Sequence, residues 1–71
     1  MKKDVFYLKN QEYIQLDQLM KLLGWAESGA SAHEIIDSGL VKVDDAIELR
    51  RRRKLFSGSK IEFADFIISI K

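Results

Sequence analysis

Arg50, Arg51, Arg52, Arg53 and Lys54 are consecutive in a chain of 71 residues whose formal net charge is only +1. Of the 12 basic residues 7 lie elsewhere, against 11 acidic ones, so the remainder of the chain carries a net −4. Positive charge is therefore concentrated at one place. A cationic block on an otherwise acidic domain is the electrostatic footprint of a site that holds a polyanion. Four of the five residues are arginine. The guanidinium fork meets phosphate oxygens through paired N–H donors and stacks on bases, whereas lysine offers a point charge. A run made only for solubility would mix in glutamate and lysine. In an extended strand Arg51 and Arg53 would face one way and Arg50, Arg52 and Lys54 the other. Burying either set unpaired is prohibitive. The block is therefore expected in a loop, an edge or a bulge, with most of its cations in solvent. If it neutralises about four or five phosphates, log K falls against log salt with a slope of about −3 to −4.

Other chemistry has little to stand on. The chain has no cysteine and one histidine, His33, and no glycine-rich phosphate loop. No catalytic residue, metal site, cofactor or small-molecule substrate is expected, and the chain does not read as an enzyme. Without cysteine, an apolar leader or an apolar run long enough to span a bilayer, it is expected to be cytoplasmic, with no membrane partner. Residues 1–71 are expected to form a single domain.

The elements that must present the block follow from periodicity. Asp4 to Leu8 is rich in strand formers and reads as a short strand at a sheet edge. Leu16, Leu19, Met20 and Leu23 share one helical face, with Asp17 near the start and Gly24 as the stop. After Trp25-Ala26-Glu27, Ser28 offers an N-cap to a second helix marked by Ala32, Ile35 and Ile36, which Gly39 ends. Neither helix is long enough to be stable alone, so both must pack on something. Leu40 to Val43 alternates around an outward Lys42, Asp44-Asp45 turns the chain, and Ala46 to Leu49 resumes the alternation. Lys60 to Phe63 and the face Phe66, Ile68 and Ile70 mark two further strands. The expected class is α+β, with two short helices on one face of a small, mostly antiparallel sheet.

From Ile14 to Phe63 the chain resembles the RNA-binding domain named after small-subunit ribosomal protein S4, also called the alpha-L motif. Leu16-Asp17 opens the first helix as in that pattern. Ser28, Ala32, Ile36, Gly39, Val41 and Val43 fall at its spacing, Asp44 stands where Asn or Asp is usual, and Ser57 to Ile61 takes the place of its late turn. Within the family the chain is most similar to the small stand-alone bacterial members. It departs at three positions: Gly29 replaces an arginine, His33 a residue that is often Lys or Arg, and Asp45 the turn glycine. An Asp at a positive-φ position fits less well than Gly, so a different or mildly strained turn is expected.

The resemblance implies a non-catalytic binder of structured RNA, ribosomal RNA among the candidates, acting as an adaptor or assembly factor. The candidate RNA-binding residues are Arg50, Arg51, Arg52, Arg53 and Lys54, with Lys42, the second-helix start Ser28, Gly29, Ala30 and Ser31, and His33. A helix start of small residues offers free N–H groups and a positive dipole end to a phosphate. Asp37, Asp44, Asp45 and Glu48 could ring the cations and repel a misplaced phosphate chain. Trp25 is expected to seal one end of the core rather than stack a base, and Tyr13 and Phe56 are expected to be structural. The rival readings are a protein-interaction module that docks an acidic partner through Arg50 to Lys54, and association with DNA or a membrane surface. The membrane version needs a basic amphipathic helix, and neither expected helix carries many cations.

Overall fold

The structure, a computed structural model, describes residues 2–71. Nine elements follow in order: β1 (Lys2–Phe6), β2 (Ile14–Gln15), α1 (Leu16–Leu22), α2 (Gly29–Asp37), β3 (Val41–Val43), β4 (Ala46–Ile47), β5 (Lys54–Leu55), β6 (Lys60–Phe63) and β7 (Phe66–Ile70). Five strands form one sheet in the order β1-β7-β6-β3-β4. All its pairings are antiparallel except β1 with β7. The helices cover one face of it, as the α+β pattern predicts. The edge strand β1 begins before Asp4 and ends at Phe6.

Alternation decides which side chains meet the helices. Val41 and Val43 of β3, Ile61 of β6, and Ile68 and Ile70 of β7 are buried. Leu16, Leu19 and Met20 of α1 and Ala32 and Ile36 of α2 close the core from the other side, each fully buried. Full burial of one Leu or Ile is worth about 1.5–3 kcal/mol, and such contacts, not helix propensity, hold elements this short. Trp25 packs against Phe63 and Phe66, with ring centroids 5.2 and 5.9 Å apart, which is the core-sealing role its position suggests. Gly24 and Gly39 take φ of 78° and 75° where α1 and α2 stop, a conformation that costs a side chain but not glycine.

The β3–β4 turn is regular. Asp44 and Asp45 have φ of 52° and 71°, the positive pair of a type I′ hairpin. The Asp44 carboxylate accepts from the Lys60 amide at 3.0 Å, and the Lys60 ammonium reaches Asp45 at 2.7 Å. Asp45 thus keeps the turn that a glycine would make. The register of this hairpin decides which residues beyond the turn face outward. Val43 pairs with Ala46 and Lys42 with Ile47, so Ile47 shares the outward face with Lys42. Ile47 and Leu49 are therefore exposed, and Glu48 between them is buried. The alternation of Ala46 to Leu49 is real, but its charged member points inward. β4 itself ends at Ile47.

A second ladder, β2 with β5, pairs Ile14 with Leu55 and Gln15 with Lys54. No periodicity announces a strand of two residues. It nevertheless ties the end of the arginine block to the start of α1.

Candidate nucleic-acid interface

The arginine block is a tight loop whose backbone is spent on α1. The side chain of Gln15, the N-cap of α1, makes no capping hydrogen bond. Instead the Leu16 amide donates to the Arg53 carbonyl at 2.9 Å and the Asp17 amide to the Arg51 carbonyl at 3.2 Å. These are first-turn N–H groups with no partner inside the helix. The Arg53 amide closes the turn on the Arg50 carbonyl at 3.3 Å. The backbone is thus fixed while the side chains leave it, which fits the expected loop.

Glu48 organises the charges. The Glu48 amide donates to the Val41 carbonyl at 2.9 Å, which extends the hairpin and turns the side chain inward. Its carboxylate is 7% exposed as a residue. It accepts the Arg50 backbone amide at 3.1 Å and both forks of the Arg50 guanidinium, Nε and Nη2, at 3.0 Å each. Arg53 donates to the same carboxylate from its Nη1. The hydrogen bonds from Arg50 hold the Glu48 carboxyl well below its usual range, down to about 2, against a burial that pushes it up. Arg53 is drawn in with it, its side chain 31% exposed against 71% for Arg50.

Arg51 forms a second bidentate pair, Nε to Asp37 Oδ1 at 3.1 Å and Nη2 to Oδ2 at 2.6 Å. Asp37 is the last residue of α2. A carboxylate there faces the negative end of the helix dipole, and the guanidinium offsets that repulsion. The hydrogen bond from Arg51 lowers the Asp37 carboxyl from its ordinary value.

Arg52 and Lys54 have no carboxylate within salt-bridge distance among the described residues. The Lys54 ammonium lies 4.9 Å from the centre of the Tyr13 ring, a cation–π contact that leaves its charge unneutralised. Five cations against the two carboxylates of Glu48 and Asp37 leave a net of three. Arg50, Arg52, Arg53, Lys54 and Phe56 line an open cleft of about 480 Å³.

The other sequence candidates do not all join this cleft. Lys42 is exposed between buried Val41 and Val43, so it projects from the face of the sheet opposite the helices, beside Glu62 and Ile47 in register. Ser28, Gly29, Ala30 and Ser31 do start α2, where the Ser28 hydroxyl accepts the Ser31 amide at 3.2 Å. The loop meets α2 at its opposite end, at Asp37. The nine residues of α2 put its ends roughly 12 Å apart at about 1.5 Å per residue. The helix start is therefore not a wall of the arginine cleft. Gly29, His33 and Asp37 fall on one stripe of α2 at four-residue spacing, and His33 stands midway. It is half-buried, with Nε2 3.1 Å from the Asp17 carboxylate. The position expected to face a ligand thus has a partner within the fold.

From the sequence, Phe56 is expected to be structural, and Glu48 and Asp37 to belong to a ring of acids that repels phosphate. Phe56 is 45% exposed on the cleft, and the two acids hold arginines in place. The signal for Glu48 was present. An acid two residues before Arg50, framed by Ile47 and Leu49, is well placed to fold back on the block. Asp37 lies 14 positions from Arg51 and gave no such sign. Among the described residues no group of three or more His, Cys, Asp or Glu could hold a metal ion, and no helix is long and apolar enough to cross a membrane.

Comparison with known proteins bears on the family and the fold. The S4 domain family model matches residues 6–71, a longer span than the residues that carry the resemblance in sequence. "Putative RNA-binding protein YbcJ" of Escherichia coli (strain K12) is 42% identical over 65 residues, which are 92% of this chain and 93% of that protein. "Uncharacterized protein YbcJ" of Shigella flexneri is similar to the same extent. The solution structure of E. coli YbcJ, described as revealing an alfaL motif involved in RNA-binding, superposes with a TM-score of 0.68 at 41% identity, over 93% of this chain and 84% of that one. With a family match running from β1 to the last residue, and a relative that shares both length and fold, the chain belongs to the S4 domain family.

Proposed function

We propose that this chain is a non-catalytic RNA-binding module for structured RNA, gripping phosphates with the arginine loop. Ribosomal RNA is a candidate ligand. The protein works in the cytoplasm as an adaptor or assembly factor, with residues 1–71 as one binding unit. The observation that carries this reading is the division of labour within the loop. Glu48 and Asp37 fix Arg50, Arg51 and Arg53 in place, and Arg52 and Lys54 stay free on the cleft that Arg50 and Arg53 also line. Guanidinium groups already held in place lose less side-chain freedom when a phosphate meets their remaining N–H donors, and free cations supply the attraction. The description of E. coli YbcJ as a putative RNA-binding protein supports the choice of polyanion.

The test is a salt titration of binding to a folded RNA hairpin by the native protein and by the Arg52→Ala/Lys54→Ala double variant. A net of three charges predicts a slope of log K against log salt of about −2 to −3, shallower than five independent cations would give. The double variant is expected to fold normally, to lose about 10- to 100-fold in affinity at low salt, and to show a slope near about −1. A salt-independent affinity, or an unchanged affinity in the folded variant, overturns the proposal.

A further inference from the structure

Phe56 is an apolar ring at the edge of a cluster of cations, and its exposure is built in. Leu55 before it is fully buried, so alternation sends Phe56 outward. Its backbone is held on both sides of the turn that follows. The Phe56 amide donates to the Ser59 hydroxyl at 3.2 Å, the Ser59 amide to the Phe56 carbonyl at 3.0 Å, and the Gly58 amide to the Ile70 carbonyl at 2.8 Å. Tyr13 supports the ring from one side, centroids 5.8 Å apart and planes tilted by 51°. Tyr13 is itself engaged by Lys54, so Phe56 is the aromatic that faces the cleft. A rigid ring, supported behind and flanked by Arg52 and Lys54, combines the two elements that single-stranded nucleic acid needs: a stacking surface and cations that follow the backbone. A duplex keeps its bases stacked inside and offers only backbone and groove edges. A cleft of about 480 Å³ lies within the roughly 300–1,000 Å³ typical of small-ligand sites.

We propose that Phe56 is a stacking platform for one unpaired base of the RNA, a bulge or loop nucleotide, whose flanking phosphates are held by Arg52 and Lys54. The inference rests on the RNA-binding reading above and names the part of the RNA that this cleft selects. It also assigns a specificity role to a residue outside the charged block.

The test compares one RNA hairpin with a single 5-iodouridine bulge and the same hairpin fully paired. The native protein is expected to bind the bulged form about ten-fold more tightly. Ultraviolet irradiation is expected to cross-link the iodouridine to the tryptic peptide that begins at Leu55. Phe56→Tyr keeps the π face and should keep the preference. Phe56→Leu keeps an apolar contact to Tyr13 and should lose the preference, with the melting temperature of each variant checked alongside. Equal affinity for the two hairpins, or a folded Phe56→Leu protein that still prefers the bulge, overturns the platform and leaves RNA binding standing. If neither hairpin binds, RNA binding itself falls and this inference with it.

Discussion

Glu48 and Arg50 meet fork to fork: Nε and Nη2 of the guanidinium each lie 3.0 Å from a different oxygen of the same carboxylate. The Arg50 amide and Arg53 converge on that carboxylate as well. One buried acid therefore sets two of the loop's four arginines. Replacing Glu48 with Gln leaves Arg53 half-buried without its counter-charge. The expected cost is about 2 kcal/mol, below the cost of breaking a fully buried pair because Arg50 is largely in solvent. A domain of this size is stable by about 4–10 kcal/mol, so the variant should still fold. Urea denaturation measures the difference, and a loss under about 0.5 kcal/mol would show that Glu48 does not hold the loop.

The same carboxylate makes stability depend on acid. The Glu48 carboxyl is held near 2 in the folded protein, against about 4.5 ordinarily. A lowered folded-state value stabilises above the ordinary value, and that contribution drains away as pH falls from there through the folded one. The native protein is therefore expected to lose about 2 kcal/mol between pH 4.5 and pH 2 on account of Glu48, after allowance for solvent around Arg50. Asp37 and Asp45, also lowered by their cationic partners, act in the same direction at the surface. Urea midpoints measured across this range should fall less steeply for Glu48→Gln than for the native chain. Parallel curves would rule out the linkage.

A third prediction concerns the β6–β7 turn. Phe63 pairs with Phe66, so Ala64 and Asp65 form a two-residue connection, and Ala64 has φ of 53°. A β-carbon in that region costs about 1–2 kcal/mol, and glycine removes the cost while adding freedom to the unfolded chain. Ala64→Gly is expected to stabilise the protein by about 0.5–1 kcal/mol, raising the melting temperature by about 2–6 °C. RNA affinity should not change, because Ala64 does not line the arginine cleft. A lower melting temperature would mean that the turn relies on the alanine methyl group.

Much of the architecture was legible locally because it rests on periodicities of short range. The stripe of Leu16, Leu19 and Met20, the cap at Ser28 and the alternation of Phe66, Ile68 and Ile70 are each decided within a few residues. The outward direction of Lys42 followed in the same way. For Ile47, Glu48 and Leu49 the direction stayed open, since alternation tells which residues share a face but not which face is the core. That choice belonged to the Asp44-Asp45 turn, whose register set Ile47 opposite Lys42. The β2–β5 ladder gave no sign, because two residues carry no period.

For the candidate site, the amino-acid sequence determined the inventory: five adjacent cations, their excess of arginine and their need for an irregular, exposed backbone. Those properties follow from charge and from the cost of burying it. Only the tertiary structure decided how the charges are spent. Arg51 finds Asp37, the carbonyls of Arg51 and Arg53 satisfy the start of α1, and Phe56 comes to the mouth of the same cleft. Lys42 and the start of α2 fall elsewhere. Ion pairs and stacking surfaces depend on distances across the fold, and those are set by how the helices dock on the sheet.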